Sequence, residues 1–428
     1  MNIRLLNFQI TVLQSFVLWS GIIFSLRFSD GERIVPNGII MHFFIAGAAA
    51  MISYKPNLLR NINSGASGLF ILLYIILFVI SLISAIFSNS IDLSAQRTFS
   101  IFLYGMFGIL TGYLVADPMQ VMNKASLMWL RIISVITILT GLTFFLGDVH
   151  LGDDFIALKL SLGAFELSQA IGGTLDLPRA TGFTGNPNLY AFFCVVAGAF
   201  AVFLRNALII GRKSFLLYSA LTAFGLIMSG SMTGSAVFLM VMGLSLFTSF
   251  RSKTNFLIIF IAIGLFASVF IALVVIFSEY LPRSDLGGFK QRLASWEEIY
   301  NSSARNPFSG VGFGVSYEEL LSVSGHHAAH SVYLGLFSEI GVFGLLFFVA
   351  MLGLAISSST FLVMNTASQH SILRSPSILS AIVSFVFLIY SFLEFILMRF
   401  GFPHYLFFFI TFVFFRTVKD LPVVDTHR

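Results

Sequence analysis

The sequence predicts an all-α, polytopic helical membrane protein, and three observations carry that expectation. Hydrophobic residues make up 57% of the 428 and charged residues only 10%, where a soluble domain carries about 25% charge. The apolar residues gather in blocks close to the roughly 20 residues a helix needs to cross a bilayer. They do not alternate along the chain, as the strands of a membrane β-barrel would. The single cysteine, Cys194, lies inside an apolar block, which excludes a disulfide scaffold. A net charge of +5, placed largely in loops, gives no ground for a nucleic-acid partner. Residues 1–428 read as one integral membrane domain.

Hydropathy places about twelve spans, at 8–26, 34–53, 68–87, 98–116, 128–146, 188–204, 214–229, 234–249, 256–278, 332–356, 377–397 and 402–415. The first follows Met1 and Arg4, as a signal peptide would. It is longer than a signal h-region and lacks a small-residue cleavage site, so it is counted as a span. Basic residues set the orientation. With the N-terminus in the cytoplasm, 14 Lys and Arg fall inside and 4 in the short outside loops (Arg27, Arg33, Arg97, Arg399). The other six lie in two long loops, which translocate regardless of charge. Both termini are therefore expected in the cytoplasm.

Those two long loops, at about 147–187 and 279–331, are expected on the periplasmic face. Connections of that length are uncommon unless they are functional. The first ends in Pro178-Arg179-Ala180-Thr181-Gly182-Phe183-Thr184-Gly185-Asn186-Pro187-Asn188 and runs directly into a span. Asn186 or Asn188 can cap that helix, and the two glycines permit a tight path beside Arg179. Alone, Arg179 could equally be an interfacial arginine with its stem in the apolar layer.

The second loop carries Lys290 to Tyr300, with Leu293, Trp296 and Ile299 or Tyr300 at helical spacing. That pattern predicts an amphipathic helix on the membrane surface, bearing Arg292. Asn306-Pro307-Phe308-Ser309-Gly310-Val311-Gly312-Phe313-Gly314 follows. It lacks the preceding strand and the Lys-Ser/Thr ending of a phosphate-binding P-loop, so ATP is rejected. The loop closes on Gly325-His326-His327-Ala328-Ala329-His330-Ser331. On a helix His326 and His330 would share a face and could bind zinc, with His327, Glu318 or Glu319 contributing. No third ligand stands at metal-site spacing, and no metal is assigned. A histidine at the mouth of a span suits a general base, because imidazole exchanges protons near neutral pH.

Ionisable residues inside spans are sparse, chiefly Glu339 and Glu394. They are read as hydrogen-bonded carboxylates that fix helix packing. A transporter or flippase would need charges lining a path through several spans and matching Gly- or Pro-broken spans in two halves. A non-catalytic scaffold leaves two arginines and a histidine outside unexplained.

The order of motifs is more specific than any one of them. Arg179-x-x-Gly182-x-x-x-Asn186-Pro187-Asn188 leads into a span, and Ser229-Gly230-Ser231-x-x-Gly234-Ser235 opens a later one. Arg292 precedes Trp296, then come Asn306-Pro307-x-x-Gly310-x-Gly312 and His330-x-x-Tyr333-Leu334-x-x-x-x-Glu339-x-Gly341-x-x-Gly344. This set resembles the O-antigen ligase and Wzy-type polymerase superfamily of bacterial envelope glycosyltransferases, over roughly a fifth of the chain. Two departures are the serine in His330-Ser331, where the family often has His-Asn, and Met232-Thr233, where an arginine is frequent.

The resemblance implies a metal-independent, cofactor-free, inverting transfer of a glycan from undecaprenyl diphosphate to an acceptor sugar, on the periplasmic side of the bacterial inner membrane. In its terms His330 is the base, Arg179 and Arg292 hold the diphosphate, and Asn186, Asn188, His326 and His327 line the substrate site. The acceptor is a lipid A core in lipopolysaccharide assembly by a ligase, or a second lipid-linked repeat in a polymerase. The long loops hold six basic and eleven acidic residues, with no broad basic patch for a phosphorylated core, which favours a polymerase. The compact chain and motif spacing favour a ligase, the reading adopted here. The 51 phenylalanines suit a polyprenyl site or simply a lipid-facing bundle.

Overall fold

The computed structural model describes residues 65–88, 90–114, 118–151, 156–162, 165–174, 177–182, 184–247, 292, 295–301, 303–304, 306–315, 331–365, 371–394 and 401–419. Its helices are α1 (Gly65–Ile86), α2 (Ile91–Leu114), α3 (Pro118–Leu146), α4 (Pro187–Asn206), α5 (Arg212–Ser229), α6 (Met232–Phe247), α7 (Val332–Asn365), α8 (Ser371–Leu393) and α9 (Gly401–Lys419). Each coincides with one of the predicted spans. The predicted spans at 8–26, 34–53 and 256–278 lie outside the described residues.

Among the described residues, four helical stretches are long and apolar enough to cross a membrane: Gly65–Ile86, Met119–Leu146, Pro187–Asn206 and Val332–Leu362. Shorter apolar helices run Met232–Gly243, Pro376–Phe392 and Pro403–Val418. Helix α1 shows what these faces meet. Leu69, Leu72, Val79, Ile83 and Ile86 leave 46–66% of their surface uncovered, while Phe70, Tyr74 and Leu77 are buried. A ridge of exposed aliphatic residues on one face and a packed core on the other is the pattern of a helix between lipid and protein.

Helix α4 sits at the centre, with α3, α5, α6 and α8 around it. Every residue from Leu189 to Leu204 is buried. Helix α9 lies along α2 because α2 presents Gly108 and Gly112 to it. A Cβ on either would come within 2.6–2.7 Å of the carbonyl oxygens of Tyr405 and Phe409. This is the small-residue spacing that lets membrane helices approach closely. Phe70 then sits among Phe407, Phe408, Phe412 and Phe415, ring centroids 5.5–6.2 Å away. These phenylalanines are protein core.

Two features depart from the sequence reading. The first long loop is not irregular and the fold is not purely helical. Strands β1 (Asp148–Leu151), β2 (Ile156–Leu162), β3 (Phe165–Thr174) and β4 (Leu177–Ala180) form an antiparallel meander in the order β1-β2-β3-β4. The cause is a short period-two pattern, Ile156-Ala157-Leu158-Lys159-Leu160-Ser161-Leu162, which a search for twenty-residue blocks passes over. Gln169 Nε2 donates to the Thr140 carbonyl at 3.1 Å, fastening β3 to α3. Arg97 is likewise no loop residue. It lies within α2 and donates to the Gly314 carbonyl.

The second feature is a break inside α7. Gly341 takes φ 73° and ψ −175°, and the Asn306–Gly314 turn fills the gap. Val311 N donates to Ser338 O at 2.9 Å, Gly312 N to Glu339 O at 3.0 Å and Val342 N to Pro307 O at 2.8 Å. Backbone groups released at membrane depth must find such partners, since lipid offers none.

Candidate functional site

The site begins at the lead-in to α4. Gly182 and Gly185 both adopt left-handed φ, 56° and 65°, folding the chain between β4 and α4 into a tight corner. A Cβ on Gly182 would lie 2.6 Å from the Tyr190 ring. The corner leaves Asn186 extended as the N-cap of α4. Its Oδ1 accepts from the backbone N–H groups of Asn188 at 2.9 Å and Leu189 at 3.1 Å, the bonds expected of a capping asparagine. Of the two candidate caps, Asn186 does the capping and Asn188 is released for something else.

Asn188 becomes a relay. Its Oδ1 accepts from Arg179 Nη2 at 2.8 Å, and its Nδ2 donates to Glu394 Oε1 at 2.9 Å. Arg292 Nη2 donates to that same oxygen at 3.0 Å, an ion pair in which the side chains are 22% and 7% exposed respectively. Arg179 and Arg292 are thus joined by one carboxylate and one amide, although 113 residues separate them in the chain.

Each partner has a local reason to be there. Arg179 stands opposite Gly172 in the β3–β4 register, so no side chain competes for its place. Its Nε donates to the Ser229 carbonyl at 2.8 Å, at the end of α5. Gly230, in left-handed φ 60°, ends that helix, and a Cβ there would sit 3.3 Å from Arg179. Ser231 then opens α6, its Oγ accepting from Gly234 N at 3.1 Å. The Ser229–Ser235 motif is therefore a helix boundary against which an arginine docks.

Arg292 is helical, as are residues 295–301. This segment rests on the helical bundle. Ile299 is fully buried against Leu334 of α7, and Tyr300 stacks on Phe337 with centroids 6.4 Å apart. Glu394 follows the last turn of α8, its backbone N–H bonded to Tyr390 O at 2.8 Å.

Ser331 is buried at the start of α7, its hydroxyl 3.5 Å from the Ser391 carbonyl one turn before Glu394. His330, His326 and His327, the remaining predicted site residues, lie outside the described residues. Among the described residues no group of three His, Cys, Asp or Glu could hold a metal ion.

Glu394 is the residue the sequence reading undervalued. It is the hydrogen-bonded carboxylate expected between helices, and it also ties both predicted arginines together. Its partners stand 102 and 206 positions away, so no local spacing announces it. Only the rarity of a carboxylate in an apolar span does.

A helical membrane protein whose polar cluster gathers at loop-to-helix junctions is the class these features define. Comparison with known families gives a partial likeness. Residues 217–349 match the family model described as O-antigen ligase, so this part of the chain is similar to the superfamily that the motifs resemble. The matched stretch includes Ser229–Ser235, Arg292, Asn306–Gly314 and His330 through Gly344. No curated protein matches the chain.

Proposed function

We propose that this protein is a twelve-span glycosyltransferase of the bacterial inner membrane, with both termini cytoplasmic and its site periplasmic. It transfers a glycan from undecaprenyl diphosphate to an acceptor sugar, most simply as an O-antigen ligase acting on a lipid A core. The observation that carries this reading is the joining of Arg179 and Arg292 through Asn188 and Glu394. Guanidinium groups bind phosphate oxygens with paired, charge-assisted hydrogen bonds. Two of them held near one another suit a diphosphate leaving group, whose charge grows as the glycosidic bond breaks.

In the reaction, the acceptor hydroxyl attacks the anomeric carbon of the donor sugar and its proton passes to His330. The bond from that carbon to the diphosphate oxygen breaks, and undecaprenyl diphosphate leaves with the electron pair. One displacement inverts the anomeric configuration. The arginines balance the leaving charge, so the step calls for no divalent ion. A polymerase would use the same residues on a second lipid-linked repeat.

The test is transfer by the purified enzyme from a lipid-linked donor, with lipid A core or lipid-linked repeat as acceptor, in excess chelator. Transfer to the core with chelator present is the expected result. Transfer to the lipid-linked repeat alone assigns the polymerase reaction, and turnover that requires added zinc or magnesium overturns the metal-free mechanism. Arg179→Lys and Arg292→Lys should each lower the rate about tenfold with the fold intact. One ammonium cannot span the two acceptors, Ser229 O and Asn188 Oδ1, that the Arg179 fork reaches. Full activity in both variants removes the arginines from the mechanism.

A further inference from the structure

A carboxylate in the middle of a site read as a diphosphate cradle is a puzzle, because a carboxylate repels the ligand that the arginines attract. Glu394 is also no bystander. Its Oε1 takes Arg292 Nη2 at 3.0 Å and Asn188 Nδ2 at 2.9 Å, and Asn188 takes Arg179 Nη2 at 2.8 Å. It is nearly buried, at 7% side-chain exposure. Two guanidinium groups drawn this far from water need an anion, since a partly buried charge without one is costly.

We propose that Glu394 is a positioning residue that stands in for the donor's diphosphate in the unloaded enzyme and competes with it in the loaded one. Resting on the reading of Arg179 and Arg292 given above, the inference assigns the carboxylate two tasks. Before binding, it aligns both arginines, Arg292 directly and Arg179 through the Asn188 amide. On binding, Arg292 passes from the carboxylate to a diphosphate oxygen, an exchange between acceptors of the same kind for guanidinium. The carboxylate stays beside the diphosphate and weakens its hold, so that undecaprenyl diphosphate leaves after transfer. No bond is made or broken by Glu394 itself.

A residue that only packed helices, or only steadied the arginines, would weaken diphosphate binding when altered. Competition predicts the opposite sign. Inorganic pyrophosphate is titrated by calorimetry into the detergent-purified full chain and its variants, with ionic strength held constant. Glu394→Gln keeps the shape and an acceptor oxygen but removes the charge. Its pyrophosphate Kd is expected to fall at least tenfold, while kcat falls and inhibition by undecaprenyl diphosphate tightens by a similar factor. An unchanged or larger Kd overturns the proposal.

Arg292→Ala and Arg179→Ala, titrated alongside, separate the two levels. If both bind pyrophosphate as the parent does, the diphosphate reading of the arginines fails, whatever Glu394→Gln shows. If both lose binding and Glu394→Gln does not tighten it, this inference alone fails. Should the glutamine variant not purify folded, Glu394→Asp carries the test. It withdraws the carboxylate by one methylene, so tightening of severalfold is expected, and weaker binding overturns the proposal.

Discussion

Two glycine-rich loops reach helices in this protein, and they spend their hydrogen bonds differently. The Arg179–Asn188 corner uses its glycines to turn the chain and then offers side chains outward, to Ser229, Glu394 and, through Glu394, Arg292. The Asn306–Gly314 turn gives its backbone N–H groups to the broken helix α7 and accepts from Ser94 and Arg97 of α2 at Phe313 O and Gly314 O. The first is a polar site carried on a rigid helix start. The second is a splice that keeps a helix break satisfied. Similar composition thus serves chemistry in one loop and architecture in the other, and hydrogen-bond partners, rather than glycine content, tell them apart.

The comparison collapses entirely if the two loops face opposite sides of the membrane. Reporter fusions near residues 170 and 310 should both report periplasm, and those near 208 and 365 cytoplasm. Signals on opposite sides at 170 and 310 would dissolve the site, and cytoplasmic signals at both would overturn its periplasmic assignment. The next largest effect concerns the base that both loops are read to serve. His330→Ala should lower transfer by on the order of 10²–10⁴ while donor binding survives, with His326→Ala and His327→Ala milder. If a neighbouring variant loses the rate and His330→Ala keeps it, the base is one turn away.

Stability should divide the loops next. Gly341 has φ 73°, and a Cβ on it would fall 2.2 Å from the Phe308 carbonyl oxygen. Left-handed strain alone costs about 1–3 kcal/mol, and the clash adds to it. Gly341→Ala should therefore sharply lower the thermal midpoint in detergent. A wild-type midpoint would mean the splice is loose. The smallest effect is expected at the corner. Asn186→Ala removes the cap of α4 at a cost of about 1 kcal/mol, read as a small drop in the same midpoint. An unshifted midpoint would mean that the cap bonds add nothing there.

Much of this was legible in the sequence, and unevenly so. Every described helix was visible because lipid forces apolar blocks of a fixed length, and the Asn186 cap because capping is local. The sheet was hidden because seven-residue alternation is weak beside twenty-residue blocks. The break at Gly341 was hidden because one glycine barely changes hydropathy, and its filling comes from a loop some thirty residues earlier. Glu394 was the hardest to see. An ion pair spanning 102 residues is written in the packing of α8 against α4 and α7, not in any spacing.

The close seam between α2 and α9 has a consequence for biosynthesis. Gly108 and Gly112 await a partner whose first residue, Gly401, lies almost three hundred positions downstream. At about 5–20 residues per second, the ribosome takes roughly fifteen to sixty seconds to deliver it. For that interval the glycine groove of α2 lies open in the membrane, available to any small-residue helix that passes. The seam closes only after α9 has been made.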